Sequence, residues 1–215
     1  MKRESKKFLV LGIVFLVIWT FYMLVISPLI TNFFSESIAN IIKTLAKFII
    51  WCGFGFTFIN KYNDDLFIKR EKLFKLTDIK LLIKLIIMVV ATAFLAMLKN
   101  HHGFNINEFT IDDFFNKFLL VGLEEEIVFR ALVLNGLSKK EKFLKASFIT
   151  GLIFALVHVP LYIRNGLELT LILINLFKII CISFAYNYIF KESKSLWHIL
   201  IVHSLWDLLF FLFVE

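Results

Sequence analysis

The chain is poor in the residues that cross-link or punctuate a fold. It has only two cysteines, Cys52 and Cys181, both in apolar stretches. No CxxC pair exists, which excludes a metal or redox site of that type and points to buried free thiols rather than a disulfide. Two prolines and eight glycines leave no low-complexity tract, and no internal repeat is visible. No small-residue cleavage site follows the apolar run after the basic start MKRESKK, so that run reads as a first membrane helix and not as a cleaved signal.

What fills the chain is apolar. Hydrophobic residues make up 60% of its 215 residues, and 27 of them are Phe. The mean hydropathy is +0.83, far above that of an ordinary soluble domain. The expected fold is all-α: a polytopic membrane protein of about seven transmembrane helices around an internal polar cavity. It forms one integral membrane domain over 1–215, with a motif-bearing core at about 114–214. Seven segments each approach the ~20 residues needed to cross a bilayer: 8–29, 40–59, 79–98, 114–137, 144–163, 168–190 and 196–214. The polar start of the fourth, Asp112 to Lys117, is expected along the interface. The stretch after Asn100 reads as an external loop in which His101 and His102 are solvated.

The net charge of +7 does not signal nucleic acid, because the lysines lie between apolar segments. Lys2, Arg3, Lys6 and Lys7 precede the first segment. Lys61 to Lys75, Lys139 to Lys145, and Lys191 with Lys194 occupy every second connection. The alternate connections hold Glu36, Glu108, Asp112, Asp113 and Glu168. The positive-inside rule then places the amino end in the cytoplasm and the carboxyl end outside. The chain is expected to be integral to a membrane, with the lipid bilayer as a partner.

Ionisable groups inside such segments are costly and mark functional sites. There are three clusters. Glu124, Glu125 and Glu126 precede Arg130; Glu126 and Arg130 share a helix face and form an ion pair, Glu125 points into a cavity, and Glu124 touches water or headgroups. His158 stands two residues before Pro160, which frees the Leu156 carbonyl and kinks or ends the helix. His203 and Asp207 lie one turn apart, facing one cavity, or with Asp207 holding the imidazole. His198 reads as interfacial. At ~1.5 Å per residue the three clusters fall at depths that let them meet between the midplane and the outer face. A carboxylate and an imidazole flanking a water can take its proton and return it to a leaving amine. His203 as a donor can stabilise the oxyanion. One Glu and two His are equally a zinc set with an open position. The same residues also fit a proton-coupled carrier, a non-catalytic scaffold, or a structural polar network.

GLEEEIVFRALV resembles the EExxxR motif of the CAAX prenyl endopeptidase and bacteriocin-processing family of intramembrane proteases. FALVH resembles its FxxxH motif, and HSLWD resembles its third motif, a His followed four residues on by Asn or Asp. Counting back from Arg130 selects Glu125-Glu126 as the matching pair. The resemblance implies seven or eight helices around a hydrophilic cavity and hydrolysis of a peptide bond in a membrane-associated peptide or protein. It assigns water activation to Glu125 and His158, support to Glu126 and Arg130, and the oxyanion to His203 and Asp207. Asp207 departs from the members with Asn, since an ionised Asp cannot donate a hydrogen bond. No cofactor is favoured; the alternative is a zinc-dependent version using Glu125, His158 and His203, although the soluble HExxH helix is absent. A bacteriocin-immunity scaffold remains the non-catalytic alternative.

Overall fold

The computed structural model describes residues 3–100 and 120–213. The interfacial start expected at Asp112 to Lys117 and the loop of His101 and His102 lie outside the described residues. Among the described residues all regular structure is helical. We number seven helices: α1 (Ser5–Phe33), α2 (Glu36–Lys61), α3 (Ile79–Asn100), α4 (residues 121–138), α5 (Phe143–Arg164), α6 (Leu169–Ser193) and α7 (Leu196–Phe213). Five of them, α1, α2, α3, α5 and α6, are long and apolar enough to cross a membrane, and the apolar part of α7 is shorter. Large apolar side chains stand exposed along them, including Val17, Ile41, Ile87 and Phe177. Such a surface belongs against lipid, and the protein is an integral membrane protein.

α4 is the axis of the bundle. From Ile127 to Leu134 every side chain is at most 1% exposed, Arg130 included, as expected of a helix enclosed by others. α1, α2, α5, α6 and α7 all pack on it. Its first turns, Val121–Glu126, are α-helical, and the ladder then widens to π-helical bonding over Ile127–Leu134. Such widening is frequent at functional sites. α1 widens in the same way over Tyr22–Ile26, just ahead of Pro28, whose ring nitrogen has no proton for the Leu24 carbonyl.

The lysine-bearing connections gather at one end. Asn135, near the end of α4, exchanges hydrogen bonds with the backbone of Ile68 (Ile68 N–H to Oδ1 2.7 Å, Nδ2 to the Ile68 carbonyl 2.9 Å). Lys7 pairs with Asp65, Lys69 pairs with Asp64, and Lys139 donates to the Asp64 carbonyl. Ser195 Oγ donates to the Lys75 carbonyl (2.7 Å) and Trp197 Nε1 to that of Phe74 (2.8 Å). Lys69 also holds the exposed Asp64 carboxyl below its ordinary pKa. The helices therefore alternate in direction as the charge pattern requires. His198, expected at the interface, is instead fully buried at this end, its Nε2 2.8 Å from the Asp78 carbonyl; the α2–α3 connection folds back and covers it. Of the two free thiols, Cys52 is buried, but Cys181 is exposed on α6, because an apolar stretch turned toward lipid needs no protein cover.

Candidate functional site

α5 is interrupted where Pro160 removes a donor. Phe143–Leu156 ends, Val157 and His158 form a turn, and Val159–Arg164 resumes the helix. The His158 amide bonds the Ala155 carbonyl (3.1 Å) in a tightened turn. Trp19 of α1 donates its Nε1–H to the Val157 carbonyl at 3.1 Å. His158 Nδ1 lies 2.8 Å from the Phe154 carbonyl. A carbonyl only accepts, so Nδ1 carries the proton and Nε2 is left as an acceptor.

Glu125, His158, His203 and Asp207 line one cavity of about 190 Å³, walled also by Tyr186 and Trp206. Three helices supply the polar groups, α4, α5 and α7, with α6 as the remaining wall. Glu125 is 9% exposed, whereas Glu126 and Arg130 are wholly buried. Arg130 Nη1 lies 3.0 Å from Glu126 Oε1. The rest of the guanidinium is satisfied from α6: Nε donates to Asn187 Oδ1 (3.2 Å) and Nη2 to Ser183 Oγ (3.0 Å). Asn187 donates in turn to Ser147 Oγ (2.8 Å). Phe154 and Tyr186 cover the guanidinium, 4.5 and 5.3 Å from their ring centres. A buried charge that is paired and hydrogen-bonded at each of its nitrogens is the form a membrane interior tolerates.

His203 is held from both sides. Its Nδ1 lies 2.7 Å from Glu126 Oε1, while Nε2 lies 3.3 Å from Asp207 Oδ2 and 3.8 Å from Glu125 Oε2. The Tyr186 ring packs 4.7 Å from the imidazole centre. Glu126 thus serves two partners, Arg130 and His203, and the link to His203 was not legible in the motif spacing. Ser183 and Asn187 were also missed. Their signal was two polar residues one turn apart in apolar α6. Glu124 departs from expectation. It is 1% exposed and pairs with Lys47 of α2 at 2.8 Å, because α2 packs against that side of α4 in place of water or headgroups.

Among the described residues no three His, Cys, Asp or Glu side chains are grouped to hold one metal ion. His203 has carboxylates at both nitrogens, and His158 uses Nδ1 on a carbonyl.

No curated protein and no solved structure gives a significant match to the chain. The family model for the type II CAAX prenyl endopeptidase Rce1-like proteins matches residues 107–209, a segment that contains Glu125, Glu126, Arg130, His158, His203 and Asp207. Over those residues, slightly less than half of the chain, it is similar to the Rce1-like family of type II CAAX prenyl endopeptidases.

Proposed function

We propose that the protein hydrolyses a peptide bond of a membrane-embedded peptide or protein by a glutamic mechanism without a metal. The observation that carries this reading is the shared cavity of Glu125 and His158, with the tautomer of His158 fixed by the Phe154 carbonyl. A water between the two loses a proton to this pair as its oxygen bonds the substrate carbonyl carbon. His203 donates to the oxyanion that forms, and Asp207, at 3.3 Å, orients the imidazole instead of donating itself. Collapse re-forms the carbonyl and breaks the C–N bond, and the proton goes to the leaving amine. Glu126 and Arg130 hold His203 in place and touch no reacting atom. The amino end faces the cytoplasm and the carboxyl end the outside of a bacterial cell membrane, on the lysine placement.

The test is cleavage of a peptide library by the protein in lipid nanodiscs. Glu125→Ala and His158→Ala should each lose at least about 100-fold in rate, and a chelator should have no effect. Loss with chelator and recovery with zinc would sink the metal-free mechanism. Failure of the wild-type protein to cut any peptide, with both variants keeping the biological activity, would favour a non-catalytic immunity scaffold.

A further inference from the structure

A second cavity, of about 260 Å³, lies against a different face of α4 from the catalytic one, lined by Tyr22, Ser27, Lys43, Lys47, Glu124 and Arg164 among others. Three cations face one carboxylate there. That carboxylate is already engaged, with Lys47 Nζ 2.8 Å from Glu124 Oε2. Arg164 Nη1 donates only to the neutral Ser27 hydroxyl at 2.9 Å. Tyr22 Oη donates to the Lys43 backbone carbonyl at 3.1 Å, which brings the start of α2 against α1 and leaves the Lys43 ammonium to the cavity. Among the described residues neither Lys43 nor Arg164 has a carboxylate partner. Two cations with no carboxylate partner among the described residues, in one polar concavity at the edge of a membrane protein, call for an anion.

We propose that this cavity binds the phosphodiester of an anionic membrane lipid. Arg164 closes α5 and is exposed, so the mouth sits at a helix end, the level of lipid headgroups. Ile41, Leu45 and Phe48 stand exposed along α2 beside Lys43 and Lys47, giving acyl chains an apolar surface next to the cations. A zwitterionic headgroup is disfavoured, because its ammonium would meet Lys43 and Arg164 while Glu124 is occupied by Lys47. Nothing in the match to residues 107–209 assigns this site, and most of its cations come from α2. Its readout is lipid binding, so it stands or falls independently of the peptidase reading.

The experiment uses the full chain purified in detergent and titrated with phosphatidylglycerol, phosphatidylcholine and inorganic phosphate, with bound lipid read by native mass spectrometry. Phosphatidylglycerol should be preferred over phosphatidylcholine and should not be displaced by inorganic phosphate. The double variant Lys43→Gln with Arg164→Gln should weaken it by about 30-fold, whereas Lys178→Gln, an exposed position on α6, should leave it unchanged. If the double variant does not fold, Lys43→Gln alone should give a smaller loss of the same sign. Equal binding of the two lipids, an unaffected variant, or displacement by inorganic phosphate or by a peptide carboxylate would overturn the proposal.

Discussion

Arg130 has no contact with water and is the residue on which the polar interior depends. Its guanidinium joins Glu126 of its own helix to Ser183 and Asn187 of α6, and through Glu126 it reaches His203. Removing it leaves Glu126 as a buried carboxylate that has lost its cation. Arg130→Ala should therefore destabilise the protein by about 3–5 kcal/mol, seen as a lower thermal unfolding temperature in detergent. Glu126→Gln is the informative companion, because its side-chain oxygen still accepts one bond and its shape is retained. Its unfolding temperature should fall less than that of Arg130→Ala, while cleavage drops markedly because His203 loses its charged anchor. Equal losses of stability in the two variants would mean that Glu126 only neutralises Arg130.

At the scale of elements, the site needs α4 and α7 in close contact. Gly122 makes this approach: a β-carbon there would come within 2.2 Å of Ser204 Oγ and 3.4 Å of the Leu200 carbonyl. Ser204 follows His203 directly, so any separation of the two helices draws the imidazole from Glu126. Gly122→Val should abolish cleavage. Gly53→Val, where a β-carbon would meet nothing within 4 Å, should retain it, with both proteins checked for folding by size-exclusion chromatography. Retained cleavage by Gly122→Val would show that α7 tolerates displacement. The five helices able to cross a membrane were legible because each is a long apolar run, and the break in α5 was legible from Pro160. The Glu126–Arg130 pair followed from its spacing of four. The fate of Glu124, His198 and Cys181 was not legible, since each depends on which helix lies beside it, and hydropathy is silent on neighbours. The same holds for Ser183 and Asn187, whose roles exist only once α6 is laid against α4.

At the scale of the whole molecule, the family match begins at residue 107, yet the site is built partly by helices before it. An aromatic chain crosses that boundary. Phe15 and Trp19 of α1 meet Trp51 of α2 edge-on, with ring centres 4.6 and 5.0 Å apart. Trp51 packs 5.8 Å from Phe129 of α4. Phe129 lies 4.9 Å from Phe154, which lies 5.2 Å from His158. Trp19 adds the hydrogen bond to the Val157 carbonyl, beside the turn that presents His158. Packing and positioning can be separated in the full chain. Trp51→Ala removes a large buried ring that does not line the catalytic cavity and should cost about 3–5 kcal/mol of stability. Trp19→Phe keeps an aromatic ring but removes one hydrogen bond, which should cost only about 1 kcal/mol. If the bond holds the His158 turn, Trp19→Phe should lower kcat with KM nearly unchanged, because a misplaced base slows the chemical step without altering substrate contacts. A proportional fall in stability and activity in both variants, with no separate effect on kcat, would reduce Trp19 to packing and confine the catalytic apparatus to the carboxy-terminal helices.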